Sequence, residues 1–465
     1  MRTTSTLAFV ASLLLAEASL AQAPDLVRDS GPSANRMDIV VLGDGYTAGE
    51  MTKLHDDAVA LLDVLFTIEP YADHAPFFNA TVVYTVSNEA GADHPEALPA
   101  PIVRDTAFDA YYECAPGQPD LICANVGEVL TAALAAVPTL DVVLLVVNDD
   151  AYGGSGGSLL TVSRNVATYP EIGDLMAHEL GHILAGLADE YQTPYPSYPP
   201  CSAAVDCYEP NVTLRDTLAD IKWLHWIDEP VPLPTPVTSP YLDVVGLFEG
   251  ARYLDSDIYR PAADCAMRTP GSPFCPVCSE ALILSFYDKV TPIDAQSPEP
   301  SFAMVVGDER TLEVAAPQRT SGPLSVTWTI GTDEQAASTT TLLVRAADLG
   351  VGEHTVTARV YDDTAKVRLD PSGALSATAA WAIEITAAPG EPDGGPDWGP
   401  EPDGGPEPTP DEGPSPSDDH DPNSGDTDEP NADESDGCNA TARGSPLLVL
   451  IALLGARIVT SRASR

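Results

Sequence analysis

The stretch MAHELGHILAGLADEY, Met176 to Tyr191, concentrates residue types that hold metal ions and move protons. His178 and His182 lie four residues apart, so a helix sets both imidazoles on one face. That spacing delivers two zinc ligands from one rigid element. Glu179 follows the first histidine and is displaced around the helix, so it can reach a water at the metal without ligating the metal. Zinc lowers the pKa of such a water to about 7. A carboxylate beside it can take that proton and return one to a leaving amine. The chemistry predicted is amide-bond hydrolysis with Glu179 as the general base.

A third ligand must follow the helix. Gly186 can end it and let the chain turn back, after which Asp189 and Glu190 each offer a carboxylate. In the metzincin pattern a glycine stands three residues after the second histidine, and a ligand three residues after the glycine. Here Ala185 and Ala188 hold those places, and Gly186 and Asp189 come one residue later. Asp189 keeps the glycine-to-ligand interval. The set is therefore His178, His182 and Asp189 around one catalytic zinc ion. Glu190 is the alternative, as a ligand or as a group that orients one.

The elements that must position this set come from the surrounding pattern. Ile172, Leu175, Met176, Ile183 and Leu184 recur near one side of a helix over 171–187. Upstream, DIVVLG (Asp38 to Gly43), FNATVVYTVS (Phe78 to Ser87) and DVVLLVVN (Asp141 to Asn148) have the character of strands. Thr47-Ala-Gly-Glu50 matches a capping box opening a helix with Met51, Leu54, Ala58, Leu61, Leu62 and Leu65 at helical spacing. Strands alternating with helices predict an α/β layer, with the catalytic unit spanning 36–290 after a polar lead-in. The stretch SLLTVS (Ser158 to Ser163) is either an edge strand that pairs with extended substrate or an ordinary core strand. The glycines of Tyr152 to Gly157 suggest a loop beside the cleft, since neither they nor Gly43-Asp44-Gly45 carry a P-loop ending.

The chain has 465 residues, enough for two or three domains, and a formal net charge of -48. That field repels nucleic acid and anionic lipid, which excludes nucleic-acid binding as a function. From 298 to 387, short Val- and Thr-rich runs separated by turns predict an all-β immunoglobulin-like sandwich. Residues 389–437 are built from Pro, Gly, Asp, Glu and Ser without Lys or Arg, and are expected to form an unfolded acidic stalk.

Both ends carry addressing signals. Arg2, the apolar run Leu7 to Ala16 and the small-residue site Ser19-Leu20-Ala21 predict a signal peptide over 1–21. Over 438–465, Cys438, the run Pro446 to Ala456 and a basic end resemble a bacterial sorting segment. The protein is therefore expected to be secreted or anchored at the cell surface. In an oxidising compartment most of the eight cysteines should pair, with Cys114 near Cys123 and Cys201 near Cys207. Cys275-Pro-Val-Cys278, close to Cys265, could be a redox pair or half a zinc site. The chain has no second Cys-x-x-Cys, which argues against a structural zinc.

Several separate motifs in matching order resemble the metallopeptidase family named for cleavage of immunoglobulin A. They are DIVVLGDGYT (Asp38 to Thr47), YGGSGG (Tyr152 to Gly157), HELGHILAGLADEY (His178 to Tyr191), KWLHW (Lys222 to Trp226), GLFEGARY (Gly246 to Tyr253), YRP (Tyr259 to Pro261), CAMR (Cys265 to Arg268) and FCPVC (Phe274 to Cys278). The resemblance implies an α/β metzincin-like zinc peptidase acting on protein or peptide substrates. It makes Met267 either the methionine turn under the metal or an ordinary core residue. Tyr191, Tyr259, Arg260 and Arg268 are candidates to stabilise an oxyanion, or are structural. The alternative function is a catalytically silent surface adhesion protein on a peptidase fold. A zinc amidase acting on cell-wall material is a third. Glu179 argues against the silent reading, because binding alone needs no general base.

Overall fold

Runs that are apolar at every position suit strands covered on both faces. The computed structural model describes residues 22–195, 198–228 and 230–388, and places such strands at the centre of a six-stranded sheet. Its strands are β1 (Asp25–Arg28), β2 (Met37–Asp44), β3 (Phe78–Val83), β4 (Val142–Val147), β5 (Gly154–Ser155) and β6 (Leu160–Ser163), in the order β1-β3-β2-β4-β6-β5. β2, β3, β4 and β6 are parallel, while β1 and β5 run antiparallel at the two edges. β2 and β4 are buried throughout. Met37, Ile39 and Val41 enter one core and Val40 and Leu42 the other, as the two-residue side-chain period of a strand requires.

Among the described residues, four helices cover the sheet. α1 (Met51–Leu65), α3 (Glu171–Ala185) and α4 (Pro276–Lys289) pack into one core, and α2 (Val126–Ala136) into the other. The capping box predicted at Thr47 and Glu50 is present before α1, with Thr47 N and Oγ1 both donating to Glu50 Oε2 at 3.0 and 2.7 Å. A hairpin of β7 (Phe248–Ala251) and β8 (Leu254–Arg260) lies beyond α3 in the chain. The stretch taken for a polar lead-in contributes β1 to the sheet. Leu160–Ser163 lies between β4 and β5, so it is not the sheet edge. At the edge itself, Gly154 is already bonded to Asp120 and Ile122.

Residues 295–386 form strands only, apart from the short helix α5 (Ala346–Leu349). They are β9 (Ala295–Ser297), β10 (Ser301–Val305), β11 (Glu309–Ala315), β12 (Gln318–Arg319), β13 (Gly322–Pro323), β14 (Ser325–Ile330), β15 (Asp333–Gln335), β16 (Thr341–Arg345), β17 (Gly352–Tyr361) and β18 (Ser376–Thr386). Sheets β10-β18-β17-β14-β15 and β16-β11-β9 share one core, in which Trp328 stacks on Trp381 at 5.5 Å. Ion pairing of Arg36 with Asp294 and a 2.7 Å bond from Tyr287 Oη to Asp362 tie this part to the helical part. The signal-peptide, stalk and sorting-segment expectations, 1–21, 389–437 and 438–465, lie outside the described residues.

Candidate metal centre

Ile172, Met176 and Leu180 bury one stripe of α3 against the sheet and so fix its rotation. His178 and His182 emerge together from an adjacent face. Gly186 ends the helix in the left-handed region at φ 60°, as its place in the sequence suggested. The chain then returns past the helix end, and three contacts hold its course. Asn211 bonds the backbone of Ala188 twice, at 2.8 Å each. Arg252 N donates to Asp189 O at 2.8 Å, and Glu190 N donates to Met267 O at 2.7 Å.

This return brings Asp189 to the histidines. His178 Nε2 lies 3.0 Å from Asp189 Oδ1, His182 Nε2 lies 3.3 Å from the same oxygen, and the two Nε2 atoms are 3.2 Å apart. Each imidazole donates its other nitrogen to a backbone carbonyl: His178 Nδ1 to Ala266 O at 2.9 Å and His182 Nδ1 to Leu187 O at 2.6 Å. Those carbonyls can only accept, so in the neutral rings both Nε2 atoms are lone pairs facing one another and a carboxylate. Such a set calls for a cation at its centre. Ligand atoms about 2.0–2.2 Å from one tetrahedral zinc are roughly 3.3 Å apart, which matches the spacings here. The residues present fit the metal.

As bare side chains the cluster draws protons instead. Burial opposes charge on His182, yet its hydrogen bond to Asp189 and that carboxylate's attraction prevail and lift it to about 9. Burial also pushes Asp189 up, but the two histidines hold it well below the usual carboxylate range. Glu179, half-buried beside them, is raised by burial despite attraction from His182 and His178. Its carboxylate lies against Gly156: a side-chain carbon there would sit 1.8 Å from Glu179 Oε2. The glycine-rich run thus lies beside this cluster, and the lack of a side chain at Gly156 makes room for the Glu179 carboxylate.

A model of the IgA Peptidase M64 family matches residues 26–243 and 238–286, more than half of the chain. The chain belongs to this family. Among curated proteins no match is found. As an M64 peptidase it is a hydrolase of peptide bonds in protein substrates, in a family of metallopeptidases. Its mixed α/β architecture accords with a peptidase domain.

Met267 is fully buried, with its sulfur where a side chain on Gly181 would meet it at 2.9 Å. Glu190 does not face the histidines; its Oε1 accepts from Asn211 Nδ2 at 2.9 Å and Cys278 Sγ at 3.3 Å. Arg260 is spent on backbone carbonyls of Glu249, Gly250 and Ala263, and Arg268 on Glu190 O and Gln192. Arg260 Nε is buried without a hydrogen-bond partner. Tyr259 is buried in the β7–β8 hairpin, cross-bonded to Thr213. Tyr191 remains near Asp189 and packs edge-on against Tyr253 at 5.3 Å. Sequence reasoning missed Tyr253 itself, whose hydroxyl donates to Asp189 Oδ2, and Asn211. Tyr253 lay within a family motif, but nothing in its spacing connects it to a residue 64 positions earlier. The expected disulfides Cys114–Cys123 and Cys201–Cys207 are both formed.

Proposed function

We propose that the chain is a zinc-dependent endopeptidase, with His178, His182 and Asp189 holding the ion and Glu179 serving as the general base. The observation that carries this reading is the convergence of three ligand atoms at 3.0–3.3 Å with a carboxylate from the same helix beside them. Zinc bound there supplies Lewis acidity toward a water and toward the scissile carbonyl. Glu179 takes a proton from the water and returns it to the departing amine nitrogen. His182, with its side chain 26% exposed, marks the side from which substrate enters. To test the reading, the full-length chain would be incubated with a proteome-derived peptide mixture and new termini mapped by mass spectrometry. Cleavage should stop with a zinc chelator and return with added zinc. Cleavage that persists in chelator, or none by the zinc-replete chain, overturns it.

This chemistry takes place outside the cell. The apolar run from Leu7 to Ala16 and the two disulfides support export. The two-sheet module of residues 295–386 is read as an immunoglobulin-like accessory domain, supported by its separate core. Residues after Gly437 are read as a sorting segment, on the strength of Cys438 and the apolar run that follows. Intact mass of the mature chain tests that: an unmodified C-terminus at Arg465 on a freely secreted protein excludes it.

A further inference from the structure

Among the described residues Cys114–Cys123 and Cys201–Cys207 are disulfides, while Cys265, Cys275 and Cys278 are unpaired and buried together. Their sulfurs and a Glu190 carboxylate oxygen all lie within 4.8 Å of one another. Cys265, Cys278 and Glu190 have no solvent exposure, and Cys275 has 5%. Any disulfide among these three leaves one thiol beside a buried carboxylate. That carboxylate is itself incomplete: Asn211 and Cys278 engage Oε1, while Oε2 is buried without a hydrogen-bond partner. An unpaired buried carboxylate oxygen is costly unless something binds it.

We propose that Cys265, Cys275, Cys278 and Glu190 bind a second, structural zinc ion in a closed site, separate from the peptidase centre. Three thiolates and a carboxylate are a four-ligand set of the kind zinc takes, and the site has no water-facing side. Ligands about 2.3 Å from one zinc would be roughly 3.8 Å apart in a tetrahedron, a separation this cluster allows. Backbone amides already point at the sulfurs, Cys275 N at Cys265 Sγ (3.2 Å) and Cys278 N at Cys275 Sγ (3.5 Å), as suits thiolates. Cys275 caps α4, where the helix dipole favours negative charge. Arg260, fully enclosed nearby, adds a positive charge within reach of Glu190 and Cys265. On binding, the three thiols release their protons and no electron is transferred.

The absence of a second Cys-x-x-Cys in the sequence therefore does not exclude a structural zinc: its other half comes from the nearby Cys265 and from Glu190, far away in the chain. The placement also gives the ion a purpose. Cys265 and Cys275 bracket the turn whose Ala266 O fixes the His178 tautomer and whose Met267 O holds the Glu190 backbone. A zinc here clamps that turn beneath the peptidase centre.

The test is zinc content of the full-length chain purified without chelator, measured by plasma mass spectrometry. Wild type should carry two zinc ions, and a variant with His178→Ala and His182→Ala, all cysteines intact, should keep one. X-ray absorption at the zinc edge of that variant should show about three sulfurs near 2.3 Å and one lighter ligand. Cys275→Ser in the same background should then release the remaining ion. A folded double-histidine variant without zinc, or a disulfide between any two of the three cysteines in non-reducing peptide mapping, overturns the proposal. Neither result touches the peptidase reading, which the cleavage assay decides on its own.

Discussion

Asp189 and Glu190 share a peptide bond, yet their carboxylates serve two different clusters. Asp189 faces two histidines, one with its side chain 26% exposed, and Glu179 stands alongside. Glu190 faces three cysteines, and nothing in that group reaches solvent by more than 5%. The difference matches the two jobs a zinc ion does in proteins: a catalytic ion keeps a position open, and a structural ion is enclosed by four protein ligands. Both clusters hang on the same few backbone contacts, through Asn211, Met267 and Arg252. The open site is thus built directly against the closed one.

One large effect is expected on turnover alone. Glu179→Gln removes the proton acceptor while keeping size and both clusters. It should lower kcat by about 10²–10⁴-fold, with zinc content and thermal unfolding unchanged. Activity within a few-fold of wild type would show that the open cluster uses another base.

Removing either of the neighbouring carboxylates should empty one cluster and spare the other. Asp189→Ala should empty the open site, leave the cysteine site filled and abolish cleavage. Glu190→Ala should do the reverse, leaving the histidine site metallated when zinc is saturating. Zinc counting on both variants, with histidine- and sulfur-bound zinc distinguished by X-ray absorption, gives the answer. If Glu190→Ala is the variant that strips zinc from the histidines, the assignment of carboxylates to clusters is wrong.

What the sequence revealed divides along the same line. His178, Glu179 and His182 were legible because the helical repeat turns a four-residue spacing into a shared face, and the Gly186 turn followed from its lack of a side chain. The strands β2 and β4 were legible as unbroken apolar runs. Helix α2 escaped notice because its alanine-rich stretch has little polar contrast, with only Val129 and Ala133 buried. Strand β1 is four residues with two exposed, and β5 is two residues within a glycine-rich run, which left edge strand and core strand both open for Ser158 to Ser163. Three members of the cysteine cluster, Cys265, Cys275 and Cys278, were visible as neighbours in the sequence. Glu190 is brought in by tertiary contacts that leave no local period.

The smallest effect expected concerns Tyr253, which spacing could not reveal. Its hydroxyl donates to Asp189 Oδ2, while Oδ1 faces both histidines. The bond fixes which carboxylate oxygen turns toward the metal position. The ring is separately held, edge-on to Tyr191 at 5.3 Å, Tyr195 at 5.6 Å and Tyr198 at 4.5 Å. Tyr253→Phe should therefore keep the fold and remove only the hydroxyl. Groups that orient a ligand typically contribute about 10–100-fold in metal affinity or activity, so a loss in that range is expected in zinc-competition titration. The cysteine site, which Tyr253 does not touch, should keep its zinc. Unchanged zinc affinity with a lower kcat would move Tyr253 from positioning Asp189 to acting on the substrate. Unchanged values of both would show that Asp189 needs no help beyond the Arg252 and Asn211 contacts that already fix its backbone.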